Sequence, residues 1–211
     1  MTHKRPSRVP AVDAVLFDLG KVLLDWDPRY FYRDVFGGDE QALERFVAEV
    51  VTMEWLRELD TGTPVGRAIA EHQRRFPAYA EMIAMWPEGW PHMLRGEIAG
   101  SVEILTELRE RGMRLYSLTN FSTDTFPIAR SRFPFLSWFE DVVMSGEHGI
   151  TKPDPRIYRI AIERCRLAPG QTVFVDDLQA NVDAAREHGF HALHFTGPER
   201  LREDLRALGV L

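Results

Sequence analysis

Cysteine is nearly absent from this chain: one, Cys165, stands among 211 residues. A lone thiol excludes an internal disulfide framework and suits a reducing cytoplasm. Because Cys165 lies inside an apolar helical pattern, it reads as a core thiol rather than a nucleophile. Long apolar runs are missing too. No uncharged stretch approaches the ~20 residues that span a bilayer, so no membrane association is expected. Excess positive charge is also lacking: 26 basic residues against 32 acidic ones give a net charge of -6. Apart from the Lys4-Arg5 region there is no dense basic cluster, which argues against a nucleic-acid partner. The basic start of the chain (His3, Lys4, Arg5, Arg8) leads into a short apolar run that carries Asp13 and Asp18. It reads as a frayed tail before the first strand and not as a signal peptide. Repeats and low-complexity segments are absent. The expectation is a cytoplasmic globular protein, and no amphipathic stretch is left unpaired in a way that would define its oligomeric state.

What is present is 45% hydrophobic residues, enough for one substantial core and a small second one. Residues 11 to 18 read as a buried strand. From Trp26 to about Leu94 the texture is helical. Leu43, Phe46, Val47, Val50 and Val51 share one face over 39–52, and 53–59 continues helically to a stop at Thr61-Gly62. Thr63-Pro64 reads as an N-cap with proline in the first turn of a helix running to about Phe76. A short helix over 78–86 follows. This block holds Trp26, Trp55, Trp86 and Trp90. Trp55 and Trp86 are expected to pack, whereas Trp26 and Trp90, at the block's two ends, are candidates for a hinge or a substrate entrance. Beyond Glu97, helices over 101–111, 155–166 and 179–188 alternate with strands over 114–119, 142–144, 172–175 and 191–195. Such alternation implies an α/β fold, a Rossmann-like parallel sheet flanked by helices. The predicted division is a core made of 1–25 and 96–211, with a small all-helical cap, 26–95, inserted after the first strand.

Three of these strands end in chemistry: Asp18, Thr119-Asn120 and Asp176-Asp177. A fourth polar centre, Thr151-Lys152-Pro153-Asp154-Pro155, precedes a helix. Each has a structural reading: Asp18 and Asp176-Asp177 as helix caps, Thr119 and Asn120 as turn formers, Lys152 as a solvated surface residue. In a parallel sheet, however, the strand ends share one edge, and distant residues can converge there. Clustered carboxylates repel unless a cation neutralises them, and hard oxygen donors suit Mg²⁺. A carboxylate can also attack phosphorus, and a phosphoryl group in transfer needs a metal, a lysine and hydrogen-bond donors around it.

With these groups assembled, the sequence resembles the haloacid dehalogenase superfamily of hydrolases. The resemblance rests on Phe17-Asp18-Leu19-Gly20, Leu118-Thr119-Asn120, Lys152-Pro153-Asp154-Pro155-Arg156-Ile157-Tyr158 and Phe174-Val175-Asp176-Asp177 with Asn181 behind it. They stand in the family's order and cover nearly the whole chain. The pairing of Asp-Leu-Gly with Asp-Asp further resembles bacterial sugar-phosphate phosphatases of the glucose-1-phosphate type. By that resemblance Asp18 is nucleophile and metal ligand, and the Gly20 backbone carbonyl, Asp176 and Asp177 complete a Mg²⁺ site. Thr119 and Asn120 bind the phosphoryl oxygens, and Lys152 neutralises charge and holds the nucleophile. The implied partner is a small phosphorylated metabolite.

One departure matters. Most phosphatases of this family carry a second aspartate where this chain has Gly20, and it serves as general acid and base. Such help is typically worth about 10²–10⁴-fold. Asp25, Asp27 and His72 are candidate replacements. A 2-haloacid dehalogenase would need no such acid, because halide leaves unprotonated, but it has no use for two carboxylates beside its nucleophile. A third reading is a protein that binds a phosphorylated metabolite or a partner without turnover.

Overall fold

The computed structural model describes residues 11–211, and the basic stretch at 3–8 lies outside the described residues. Four apolar residues form β1 (Ala14–Phe17), all fully buried, as befits the centre of a parallel sheet. The chain then folds back on itself, with the N–H groups of Val22, Leu23 and Leu24 all donating to the Leu19 carbonyl. It continues into β2 (Leu24–Trp26). Six helices follow: α1 (Arg29–Val35), α2 (Glu40–Glu49), α3 (Met53–Asp60), α4 (Val65–Arg75), α5 (Ala80–Ala84) and α6 (Trp86–Met93). Strand β3 (Leu94–Glu97) then pairs antiparallel with β2, so the helical insertion stands on a two-stranded stem.

The remainder alternates: α7 (Ala99–Glu110), β4 (Arg114–Thr119), α8 (Phe126–Arg132), β5 (Asp141–Met144), α9 (Ser145–His148), α10 (Pro155–Arg164), β6 (Thr172–Asp176), α11 (Gln179–Glu187), β7 (His191–His194) and α12 (Pro198–Ala207). The main sheet has the order β5-β4-β1-β6-β7, with every neighbouring pair parallel. It is the α/β arrangement that the alternation predicts. Phe17 lies opposite Ser117 on one side and Val175 on the other. Asp18 and Asp176 therefore emerge level with each other where the strand order reverses, which is where open α/β sheets bind ligands.

The insertion differs from its sequence reading in four places. Helix α2 ends at Glu49, and Thr52 caps a separate α3 by accepting the Trp55 N–H. Thr63 does not cap α4. Pro64 occupies the capping position, and the Val65 N–H reaches Asp124 of the loop after β4 instead. Helix α6 was hidden by Pro87, which reads as a stop but sits in a first turn, where no N–H is required. The stem β2–β3 was missed because its pairing joins residues about seventy positions apart.

Apolar side chains of β1 alternate between two cores. Val15 and Phe17 join a cluster that runs on into the insertion through Phe46, Trp55, Ile83 and Trp86, so the insertion shares its core with one sheet face. Leu16 joins Tyr158, Phe174 and Val182 on the other face, where Cys165 is also buried. Burial pushes that thiol up to about 12, in keeping with a core role. Trp55 stacks on His72 at 4.2 Å and meets Trp86 edge-on at 4.7 Å. No helix among the described residues is long and apolar enough to cross a membrane.

Candidate active site

At the centre of the site lies Lys152, 1% exposed. Its ammonium lies 3.0 Å from Asp18 Oδ1 and 2.7 Å from Asp176 Oδ2, and it donates to the Leu118 carbonyl at 2.8 Å. An ammonium has three protons, and all three have partners here. Sequence-distant residues 18, 152 and 176 are thus brought into direct contact. Asp176 is fully buried, and its other oxygen accepts from the Leu178 N–H and from Asn181 Nδ2, both at 2.9 Å. Asp18 Oδ1 also accepts the Leu19 N–H at 2.7 Å.

The charges are unbalanced, with three clustered carboxylates around one ammonium. Burial pushes Asp18 up to about 7 against the pull of Lys152, and the charges of Asp176 and Asp177 add to the rise. Asp177 is raised by burial and then by Asp176. Burial alone would depress Lys152, but Asp176 and Asp18 overrule it and its pKa is raised. Asp18, Asp176 and Asp177 each offer a carboxylate oxygen within 4.8 Å of the others. The Gly20 carbonyl beside them accepts no hydrogen bond among the described residues. Hard oxygens with surplus negative charge are a donor set that fits Mg²⁺.

Asn120 has a task the sequence did not suggest. Its Oδ1 accepts the Lys152 N–H at 2.8 Å and its Nδ2 donates to the Lys152 carbonyl at 3.2 Å. The side chain therefore clamps the lysine's backbone, which leaves the Asn120 main chain to face a ligand. Thr119 closes β4 and is 1% exposed. Gly20 is not glycine for want of space, since a Cβ there would meet nothing within 4 Å. The left-handed residue of this turn is Lys21, at φ 57.

A cavity of about 180 Å³ opens over these strand ends, lined by Asp18, Gly20, Asn120 and Asp177 from below. Trp26 and Trp90 line it, as their positions suggested, and Trp86 does so as well as packing. The candidate replacement acids do not reach it. His72 is buried in the insertion's core with Nε2 2.8 Å from the Val50 carbonyl. Asp25 accepts the Tyr30 hydroxyl, and Asp27 binds Arg29.

Asp60 does reach it, at the last position of α3. Burial pushes this carboxyl up to about 8, with a further rise from the charge of Asp18 against a lowering by Lys152. Main-chain contacts hold it there. Its carbonyl accepts the Ser145 hydroxyl at 2.6 Å, while Ser145 Oγ accepts the Phe121 N–H from the loop after β4. Two residues on, a Cβ at Gly62 would lie 2.5 Å from the Gly146 carbonyl, so glycine alone permits this backbone-to-backbone approach of α3 to α9. The sequence signal at Asp60, a carboxylate in the last turn of a helix against the helix dipole, is shared with Glu49, Glu110 and Glu187 and does not single it out.

Several known proteins are similar to this chain. The mouse protein Acyl-CoA dehydrogenase family member 10 is 26% identical over 92% of this chain, which spans only 19% of that protein's length. The Sesquiterpene phosphatase astK of Aspergillus oryzae is 26% identical, covering 92% of this chain and 95% of its own. The Phosphorylated carbohydrates phosphatase of Thermotoga maritima is 27% identical over 87% and 84% of the two chains. A solved HAD family enzyme of Bacteroides thetaiotaomicron, in complex with magnesium, superposes with a TM-score of 0.69 at 20% identity, covering 89% of this chain and 94% of its own. Residues 12–189, from the start of β1 to the end of α11 and just beyond, match the family described as haloacid dehalogenase-like hydrolase, and the chain belongs to that family of hydrolases.

Proposed function

We propose that this hydrolase is a Mg²⁺-dependent phosphatase that cleaves a small phosphorylated metabolite through an aspartyl-phosphate on Asp18. The observation that carries the reading is the group of three carboxylates around one buried lysine at the switch point of the sheet. Asp18, Asp176, Asp177 and the Gly20 carbonyl are the residues that would hold Mg²⁺, which supplies positive charge to the phosphoryl oxygens when bound. Two carboxylates beside the nucleophile favour this chemistry over halide displacement, which needs no cation. Among the relatives, the named substrates range from phosphorylated carbohydrates to a sesquiterpene. The sugar-phosphate expectation is therefore one member of a wider class.

In this mechanism an Asp18 oxygen forms a bond to phosphorus as the ester P–O bond breaks. Lys152 keeps Asp18 aligned, and Asn120 keeps Lys152 in place through its backbone. Thr119 and the Asn120 main chain take the phosphoryl oxygens. Gly20 has no proton to give, so Asp60 supplies one to the leaving alkoxide oxygen and later takes one from the water that attacks the aspartyl-phosphate. That second step releases phosphate and restores Asp18. The insertion at 26–95 acts as a cap, presenting Asp60 and most of the pocket wall to a core made of 1–25 and 96–211.

The test is phosphate release from a panel of phosphomonoesters with Mg²⁺ and with EDTA, alongside halide release from 2-chloropropionate. Phosphate release that needs Mg²⁺ and vanishes in Asp18→Asn is the expected outcome. Halide release independent of metal would replace this reading with a dehalogenase, and silence in both assays would leave a binding protein.

A further inference from the structure

We infer that the alcohol released from the phosphomonoester is apolar, of the aliphatic or isoprenoid kind, rather than a sugar. This rests on the phosphatase reading above and adds the identity of the leaving group. The pocket over Asp18 has two unlike walls. The loops at the strand ends contribute mostly polar groups, among them Gly20, Asn120, Ser122 and Asp177. The insertion and its stem contribute Trp26, Met53, Leu56, Leu59, Trp86 and Trp90, broken only by Arg57 and Asp60. The surface this wall presents is almost entirely carbon.

A sugar phosphate would carry several hydroxyls into that space. Those turned toward the insertion wall would lose water and face carbon, and a hydroxyl stripped of water without a new partner weakens binding. Asp60 is committed to the ester oxygen in the mechanism above, which leaves Arg57 and the indole N–H groups of the three tryptophans as the wall's remaining polar groups, all of them donors. An alkyl or isoprenyl chain has no such requirement and gains from the same contacts.

The rim gives a second, independent indication. Single exposed apolar side chains need no explanation, whereas apolar side chains gathered at the rim of one pocket mark a binding surface. Four among the described residues are more than a third exposed, and two of them, Met53 (53%) and Leu178 (41%), line this pocket. They come from opposite sides, α3 of the insertion and the turn before α11. An apolar chain leaving the pocket between them would cover both.

The experiment is a homologous series, butyl, hexyl and octyl phosphate, assayed on the full chain with Mg²⁺ beside glucose 1-phosphate and p-nitrophenyl phosphate. Burial of each added methylene is expected to raise kcat/KM about three- to fourfold, mainly through KM, until the wall is covered. Octyl phosphate should exceed glucose 1-phosphate at least tenfold in kcat/KM. Leu56→Ser, which places a hydroxyl on the apolar wall, should flatten the dependence on chain length. A flat series, or better turnover of glucose 1-phosphate, overturns the inference and leaves the phosphatase reading intact. If no ester is cleaved, including p-nitrophenyl phosphate, the phosphatase reading fails by itself. Binding of the same alkyl phosphates to Asp18→Asn, read by tryptophan fluorescence, then decides the inference. Affinity that rises with chain length sustains it, and absence of binding removes it.

Discussion

The strand-end wall and the insertion wall of the pocket are built on opposite principles. At the strand ends three side chains are fully tied: Lys152 by three acceptors, Asp176 by three donors, Asn120 by the N–H and the carbonyl of Lys152. The insertion wall is mostly carbon, broken by Arg57 and by the Asp60 carboxyl proposed as proton donor, and Asp60 is held by its backbone rather than by its side chain. The first wall fixes a reaction geometry, where small displacements are costly. The second excludes water and selects by shape, tasks that demand no particular side chain at any one position. On the proposed function, the difference assigns chemistry and choice of substrate to different parts of the chain.

The largest effect should come from the strand-end wall. Asp18→Asn is expected to lower kcat by about 10⁴-fold or more, as losing a nucleophile does, with the protein still folded by circular dichroism. Next is Asp60→Asn, at about 10²–10⁴-fold in kcat with a smaller change in KM. Gly20→Asp placed in that variant should recover at least tenfold, because the added side chain has open space and an ordinary backbone angle. If Asp60→Asn retains full activity on an alkyl phosphate, the proton comes from elsewhere.

A smaller effect is expected of Gly62→Ala. Its methyl would collide with the Gly146 carbonyl and lift the end of α3. A shift of about an ångström at Asp60 is expected to lower kcat by up to about 10²-fold while the Asp18 side of the site stays intact. Titration provides a sharper comparison of the walls. In the metal-free protein the Asp60 carboxyl, followed by NMR, should titrate near 8. Removing the neighbouring negative charge in Asp18→Asn should lower that value, and removing the positive charge in Lys152→Met should raise it.

The smallest effect concerns stability. A carboxyl whose folded pKa is raised binds its proton more tightly folded than unfolded, so its charge destabilises the fold above that range. Asp177 is such a group. Asp177→Asn without metal should therefore raise Tm, and each kcal/mol relieved is worth about 2–4 °C in a domain of this size. The same variant should lose most of the stabilisation that Mg²⁺ gives the parent.

How far the sequence could be read follows the same division. Strands such as Val15-Leu16-Phe17 and Val173-Phe174-Val175 are apolar runs that stop at a carboxylate, and the parallel alternation forces those stops onto one edge. The core of the site was legible for that reason. Asp60 was not, because nothing local separates it from any aspartate at a helix end. Its importance arises from where α3 docks, a long-range event set by Ser145 and two glycines. The side-chain bonds of Asn120 were not legible for a related reason: its residue type announces hydrogen bonding, but only the fold shows that both go to Lys152. Helix α6 was obscured by Pro87 and Pro91, whose cost depends on which turn they occupy.

The contact of Ser145, Gly62 and Gly146 has a consequence for how this enzyme diversifies. The Ser145 hydroxyl and the close approach of Gly62 to the Gly146 carbonyl hold the Asp60 main chain, so the proposed proton donor is anchored without help from the side chains on the pocket wall. Wall residues such as Met53, which is 53% exposed, can be exchanged over generations without shifting Asp60. New substrates can be explored by drift along the wall while the proton path stays where it is.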